Sequence, residues 1–185
     1  YKDRIVLHHI MLGLPIIITP AYTLAGLTGV HLFLSMMMAW AMICLYRVCR
    51  SYVPQHVAGV TIVILGLTYP IIAYSQTAFP EAPAFFLVAF IISQIIAPPA
   101  QFFRLRAVAV GGALGLLPHL NFKMGVLSLL LFIFLLWNER RHMLSLIKWA
   151  SAPILLFAVL FFAWLYSQYG ELSPEIFGAL PGYAR

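Results

Sequence analysis

The sequence consists largely of apolar runs about as long as a membrane is thick, separated by short segments that carry most of the charge. A transmembrane helix needs about 20 predominantly apolar residues to cross the hydrocarbon core of a bilayer. Runs that approach this length occupy residues 27–46, 57–74, 82–97, 102–120, 122–137 and 149–166. The pattern predicts an all-α fold: one polytopic transmembrane domain over residues 1–185, with about six helical spans between residues 27 and 166.

The composition agrees with this class of protein. Hydrophobic residues make up 63% of the chain and charged residues 9%, whereas a soluble domain contains about 25% charged residues. The net charge of +6 is not a sign of nucleic-acid binding, because the basic residues adjoin apolar runs as cytoplasmic membrane anchors do. We therefore expect membrane lipids as partners, and no nucleic acid.

The two ends of the chain differ from the six runs. Residues 5–20 are short for a span and contain two histidines and two prolines. Because unpaired imidazoles are costly in the hydrocarbon layer, residues 1–26 are predicted to form an interfacial or re-entrant helix, with a seventh span as the alternative. Residues 167–185 are predicted to be a tail on the outer face. Since the chain begins with Tyr1, we expect it to be a fragment of a longer protein.

The basic residues predict the orientation of the spans. Seven Lys and Arg residues fall in the loops 47–56, 98–106 and 138–148, whereas the alternate loops contain Lys123 and Arg185. By the positive-inside rule the three basic loops are cytoplasmic. The other loops then face outward, and in a bacterium the chain would be integral to the inner (plasma) membrane.

A pair of glycines lies within the run 102–120. Gly111 and Gly115 form a GxxxG step. Small residues at this spacing let two helix backbones approach closely. This face is therefore predicted to pack against a neighbouring helix.

The turn between the fourth and fifth runs contains His119, Asn121 and Lys123. A polar-free run of about 14 residues covers only about 21 Å of the roughly 30 Å hydrocarbon core, so these side chains are predicted to be recessed. Charged groups at such depth line cavities and bind anions, and a lipid phosphate is the natural ligand. The alternative is a lysine that extends to the headgroups and a histidine that hydrogen-bonds a neighbouring carbonyl.

Carboxylates are few. Glu81 directly precedes the apolar run 82–97. At this position it is expected to cap a helix, where the helix dipole favours a carboxylate. Alternatively, it binds sugar hydroxyls, pairs with Lys123 or His119, or acts as a base. Asp3 is the only aspartate, so chemistry that needs two carboxylates within this chain would combine Asp3 with Glu81. No metal site is expected, because adjacent residues such as His8 and His9 differ by about 100° around a helix.

Several short strings resemble landmarks of the bacterial polytopic glycosyltransferases of the GT-C type. The resemblance covers about residues 8 to 125. The strings are HIMLGLP at 9–15, PAY at 20–22, YS at 74–75, FPE at 79–81 and GLLPH at 115–119, followed by Lys123.

This resemblance implies transfer of a sugar, with inversion, from a polyprenyl-phosphate donor to an acceptor on the outer face. Such enzymes place an essential acid in the first outer loop, and the catalytic assignment here stays open between Asp3 and Glu81. The substrate-binding residues that the resemblance implies are His119 and Lys123 on the donor phosphate, Asn121 in the same turn, Glu81 on the sugar or acceptor, and His8 and His9 at the acceptor entrance. No other cofactor is implied.

Two other functions fit the same sequence. One is a non-catalytic structural subunit of a larger membrane complex, in which the spans serve packing and lipid contact. The other is a piece of a transporter, although no broken-helix pair is evident in two halves of the chain.

Overall fold

The computed structural model describes residues 13–96, 103–121 and 123–169. Of these residues 91% are helical and none is in a strand, which confirms the all-α prediction. A short 3₁₀ turn, Arg140–His142, precedes the last helix. The α-helices are α1 Gly13–Arg50, α2 Gln55–Gly66, α3 Tyr69–Gln76, α4 Glu81–Ile96, α5 Phe103–Leu120, α6 Met124–Asn138 and α7 Met143–Tyr169.

Two helical stretches are long and apolar enough to cross a membrane, Gly13–Arg50 and Arg140–Trp164. The pair α2 and α3 adds a third if it counts as one bent span. Helices α4 and α6 are apolar but shorter, at 16 and 15 residues. By length and composition the described residues thus contain two or three candidate spans, at positions where the sequence predicts spans.

Helix α1 is broken near its middle. Ala25 has φ −146° and Gly26 has φ 58° and ψ −144°, neither of which is helical. Positive φ is accessible to glycine because it lacks a Cβ. The break lies at the boundary that the sequence places between the N-terminal segment and the first span.

The predicted span 57–74 is not one continuous helix, because the structure has two helices bent by 60°. Helix α2 ends at Gly66, and Pro70 lies in the first turn of α3. Proline has no N–H to donate to the carbonyl of Gly66 four residues earlier, and its ring clashes with that carbonyl. The chain therefore breaks at Leu67 and Thr68.

Two of the connections at the basic loops are shorter than predicted. Helix α1 continues to Arg50, and α7 already begins at Met143. Basic residues can lie within these helix termini, because long cationic side chains extend from a helix end toward water. The predicted loop 138–148 therefore reduces to residues 139–142.

Helix α5 is the centre of the bundle and packs most extensively against α7. A Cβ added to Gly111 would lie 2.8 Å from Cα of Ala150, and one added to Gly115 would lie 2.9 Å from Cδ2 of Phe157. Any larger side chain at these positions would collide with α7. The predicted packing role of the GxxxG step is confirmed.

The contacts place the basic loops at one end of the bundle. Helices α1 and α4 run in the same direction, because Ala82 packs near Val30 and Leu34 while Ala89 packs near Ala41 and Cys44. The C-terminus of α1 therefore lies with the C-terminus of α4. That end also holds the start of α5 and the end of α6, since Arg106 contacts both Gln94 and Glu139. We call it the basic end, and the end with the α5–α6 turn the tip end.

Candidate functional site

His119 lies in the last turn of α5, and 8% of its surface is exposed. Its Nε2–H donates a hydrogen bond to the backbone carbonyl of Phe157, at 3.0 Å. The imidazole also meets the rings of Phe157 and Phe161 edge-on, with centroids 5.6 and 5.1 Å away. His119 thus links α5 to α7, which is the carbonyl-bonded arrangement that the sequence left as an alternative.

Asn121 and Lys123 form the tip itself. The backbone N–H of Lys123 donates to Oδ1 of Asn121 at 3.0 Å, and the N–H of Met124 donates to the backbone carbonyl of Asn121 at 2.8 Å. These bonds fix the turn before α6. The side chain of Lys123 is exposed on the surface of the bundle. Its recessed position relative to a membrane surface stays a prediction.

Glu81 is the first residue of α4, and its side chain is exposed. A carboxylate at this position is stabilised by the partial positive charge of the helix N-terminus. Among the described residues one ion pair forms, between Arg106 and Glu139. The predicted pairing of Glu81 with Lys123 or His119 does not form. Asp3, His8 and His9 lie outside the described residues.

An open apolar groove of about 300 Å³ runs between α4 and α5. Its floor includes Gly112, where an added Cβ would have no atom within 4 Å. Phe157 belongs both to this groove and to the His119 contact, so the groove adjoins His119. Its lining is Phe86, Leu87, Phe90, Ala109, Gly112, Ala113, Leu116 and Phe157.

The basic end contains a buried polar cluster that the sequence analysis missed. Arg106 is 9% exposed, and its Nη2 donates to Oε1 of Glu139 at 3.1 Å and to the backbone carbonyl of Gln94. Nδ2 of Asn138 donates to the carbonyl of Ile95 at 3.0 Å. These two carbonyls lie in the last turn of α4, where no helical N–H is available to them. Arg106 and Asn138 therefore cap α4.

A signal for this cluster was present in the sequence. Arg106 shares a helix face with Val110 and Ala113, at the i, i+4, i+7 spacing of a buried stripe. Glu139 is the only acidic residue within the three basic loops. A basic residue on an apolar face and one acid in the loops together indicate a buried pair.

Comparisons with protein-family models, with curated proteins and with solved structures found no match. In the part of the chain that the structure describes, no three His, Cys, Asp or Glu side chains are grouped so that they could hold a metal ion. The polar residues instead form two separate groups. The tip end has an exposed lysine and an exposed glutamate, and the basic end has the capped terminus of α4.

Proposed function

We propose that the chain is the donor-binding membrane domain of a GT-C type glycosyltransferase that uses a polyprenyl-phosphate-linked sugar. Its six spans would be the second half of α1, the bent pair α2–α3, and α4 to α7. The basic end would face the cytoplasm, and the tip end the outer face of a bacterial inner membrane. The support for this topology is the location of charge: of the described Lys and Arg residues, only Lys123 is at the tip end.

The lengths of the central helices agree with a shallow tip. Helix α4, with 16 residues, is about 24 Å long, and α6, with 15 residues, is about 22 Å long at 1.5 Å per residue. Both are shorter than the roughly 30 Å hydrocarbon core, so the bilayer would thin around them or the flanking residues would reach outward. Lys123 would then lie at the depth of the lipid phosphates.

The proposal depends most on the apolar groove that adjoins His119. A polyprenyl chain is a long branched hydrocarbon, and a groove lined by three phenylalanines offers it contact along α4 and α5. At the tip end Lys123 supplies the positive charge for the phosphate. Nδ1 of His119 has no hydrogen-bond partner among the described residues. It would donate to a phosphate oxygen only in the imidazolium form, because the neutral ring that donates Nε2–H to Phe157 leaves Nδ1 as an acceptor.

The remaining roles follow from position. Glu81, exposed at the start of α4, would orient the sugar hydroxyls or act as the base, with Asp3 as the other catalytic candidate. Asn121 would hold the turn that presents Lys123. His8 and His9 would line the entrance for the acceptor. Negative charge that develops on the departing phosphate would be stabilised by Lys123.

Binding of a polyprenyl phosphate to the chain in lipid nanodiscs tests the proposal, with the matching polyprenol as the uncharged ligand. Lys123→Gln is expected to weaken binding of the phosphate at least about tenfold, because a charge-assisted hydrogen bond contributes about 1.5–3 kcal/mol. Binding of the polyprenol should not change. Gly112→Leu fills the groove and should weaken binding of both ligands.

The matched control for the groove is Gly59→Leu on α2, where an added Cβ also has no atom within 4 Å. This variant should bind both ligands as the wild type does. Equal affinity of the wild type for the phosphate and the alcohol would contradict a phosphate site, as would a Lys123→Gln variant that binds the phosphate normally.

A second function is a non-catalytic subunit of a larger membrane complex. It is favoured by the use of His119 in packing α5 against α7. A wild-type chain that binds neither polyprenyl ligand would support this alternative over the enzyme.

A further inference from the structure

The basic end presents an excess of positive charge. Among the described residues at this end, Glu139 is the only carboxylate, and it is paired with the buried Arg106. The other cations there are all exposed and have no acidic partner among the described residues. They are Arg47, Arg50, Arg104, Arg140, Arg141 and Lys148.

Three of these arginines are held over aromatic rings. The guanidinium carbon lies 5.9 Å from the Tyr46 centroid for Arg50, 5.2 Å from the Trp149 centroid for Arg104, and 5.8 Å from the Trp137 centroid for Arg140. A cation–π contact restricts the position of a guanidinium, and the N–H groups that do not point into the ring can still donate two parallel hydrogen bonds to a phosphate. Tyr and Trp are also the residues that concentrate at the membrane–water interface.

The start of α5 and the start of α7 form an elbow where this charge is densest. The ring of Phe103 lies 5.8 Å from that of His142, and Arg104 lies over Trp149. Arg140 and Arg141 occupy the turn that leads into α7. Backbone amides at the N-terminus of α7 add partial positive charge to the same place.

We propose that this elbow binds the phosphodiester headgroups of anionic phospholipids, with Arg104, Arg140 and Arg141 as the main contacts. Exposed apolar side chains stand beside these arginines, including Leu105 and Leu144, which are 69% and 80% exposed. A phospholipid complements both the charged and the apolar part of this surface, because its phosphate binds the guanidiniums and its acyl chains cover the leucines. A nucleic acid would leave the apolar part uncovered. The site is independent of any sugar transfer at the tip end.

Native mass spectrometry of the chain in mild detergent tests the site, with phosphatidylglycerol and phosphatidylcholine of identical acyl chains supplied in equal amounts. The wild type is expected to retain phosphatidylglycerol about tenfold over phosphatidylcholine. Arg104→Gln, Arg140→Gln and Arg141→Gln together should bring the ratio close to one. The corresponding triple lysine variant keeps the positive charge but loses the planar guanidinium. Its ratio of phosphatidylglycerol to phosphatidylcholine should lie between those of the wild type and the triple glutamine variant.

Arg47→Gln, which removes an exposed cation of α1 outside the elbow, is the control and should keep the wild-type ratio. The glutamine and lysine variants change exposed side chains only, and an unchanged melting temperature would show that the fold persists. A wild type without preference for phosphatidylglycerol, or a triple glutamine variant with undiminished preference, would overturn the proposal.

Discussion

Gly111→Leu is expected to force α5 away from α7 and to destabilise the bundle by about 3 kcal/mol, at the upper end of the cost of overpacking. The obstacle is backbone rather than a movable side chain, because a Cβ at this position meets both Cα and the carbonyl oxygen of Ala150. The α5–α7 contact is the most extensive between any two described helices. A loss of this size should lower the thermal midpoint in detergent by about 6–12 °C.

The neighbouring glycine provides the control. Gly112→Leu introduces the same side chain one residue later, on a face where an added Cβ meets nothing within 4 Å. It should leave the midpoint unchanged or raise it, since leucine favours helix more than glycine does. Equal melting of the Gly111 and Gly112 variants would mean that α5 and α7 do not pack as the structure shows.

The second large effect is expected at the basic end. Glu139→Ala would leave the guanidinium of Arg106 buried without its counter-charge, and removal of one partner of a buried pair costs about 3–5 kcal/mol. The side chains of Arg106 and Glu139 are only 7% and 12% exposed, so water cannot easily replace the carboxylate. The loss should appear as a lower thermal midpoint in detergent.

Two further variants distinguish the effect of breaking the buried ion pair from the effect of removing any carboxylate. The double variant Arg106→Met with Glu139→Leu removes both charges and should be more stable than Glu139→Ala alone, because an apolar replacement of a buried pair is often neutral. Glu81→Ala removes an exposed carboxylate and should have little effect. A Glu139→Ala variant as stable as Glu81→Ala would contradict the buried pair.

The features that the sequence predicted well are those that depend on local pattern. The apolar runs predicted helices, and the break at Gly26 lies where the first span was expected to begin. The GxxxG step indicated close packing of two helices, although it did not identify α7 as the partner. The bend between α2 and α3 was not predicted, because the span at residues 57–74 was inferred only from their apolar character. Pro70 inside that run was a sufficient signal for a break.

The features that the sequence did not predict depend on long-range contacts. The hydrogen bond between Arg106 and Glu139 joins residues 33 positions apart, and that between His119 and Phe157 joins residues 38 apart. Spacing along one helix can place Arg106 on a buried face, but it does not identify the atoms that this residue contacts on other helices. The sequence pattern therefore predicted polar chemistry at the tip end, whereas the ion pair of the described residues, between side chains that are 7% and 12% exposed, lies at the basic end.

We propose above that the basic end and Lys123 lie on opposite sides of a membrane. Single cysteines at position 123 or 140, in a chain with Cys44→Ala and Cys49→Ala, test it through labelling with a membrane-impermeant maleimide. We expect Lys123→Cys to react in intact bacterial cells and Arg140→Cys to react only after the membrane is permeabilised. Reaction of both cysteines from the same side of the membrane would contradict the account.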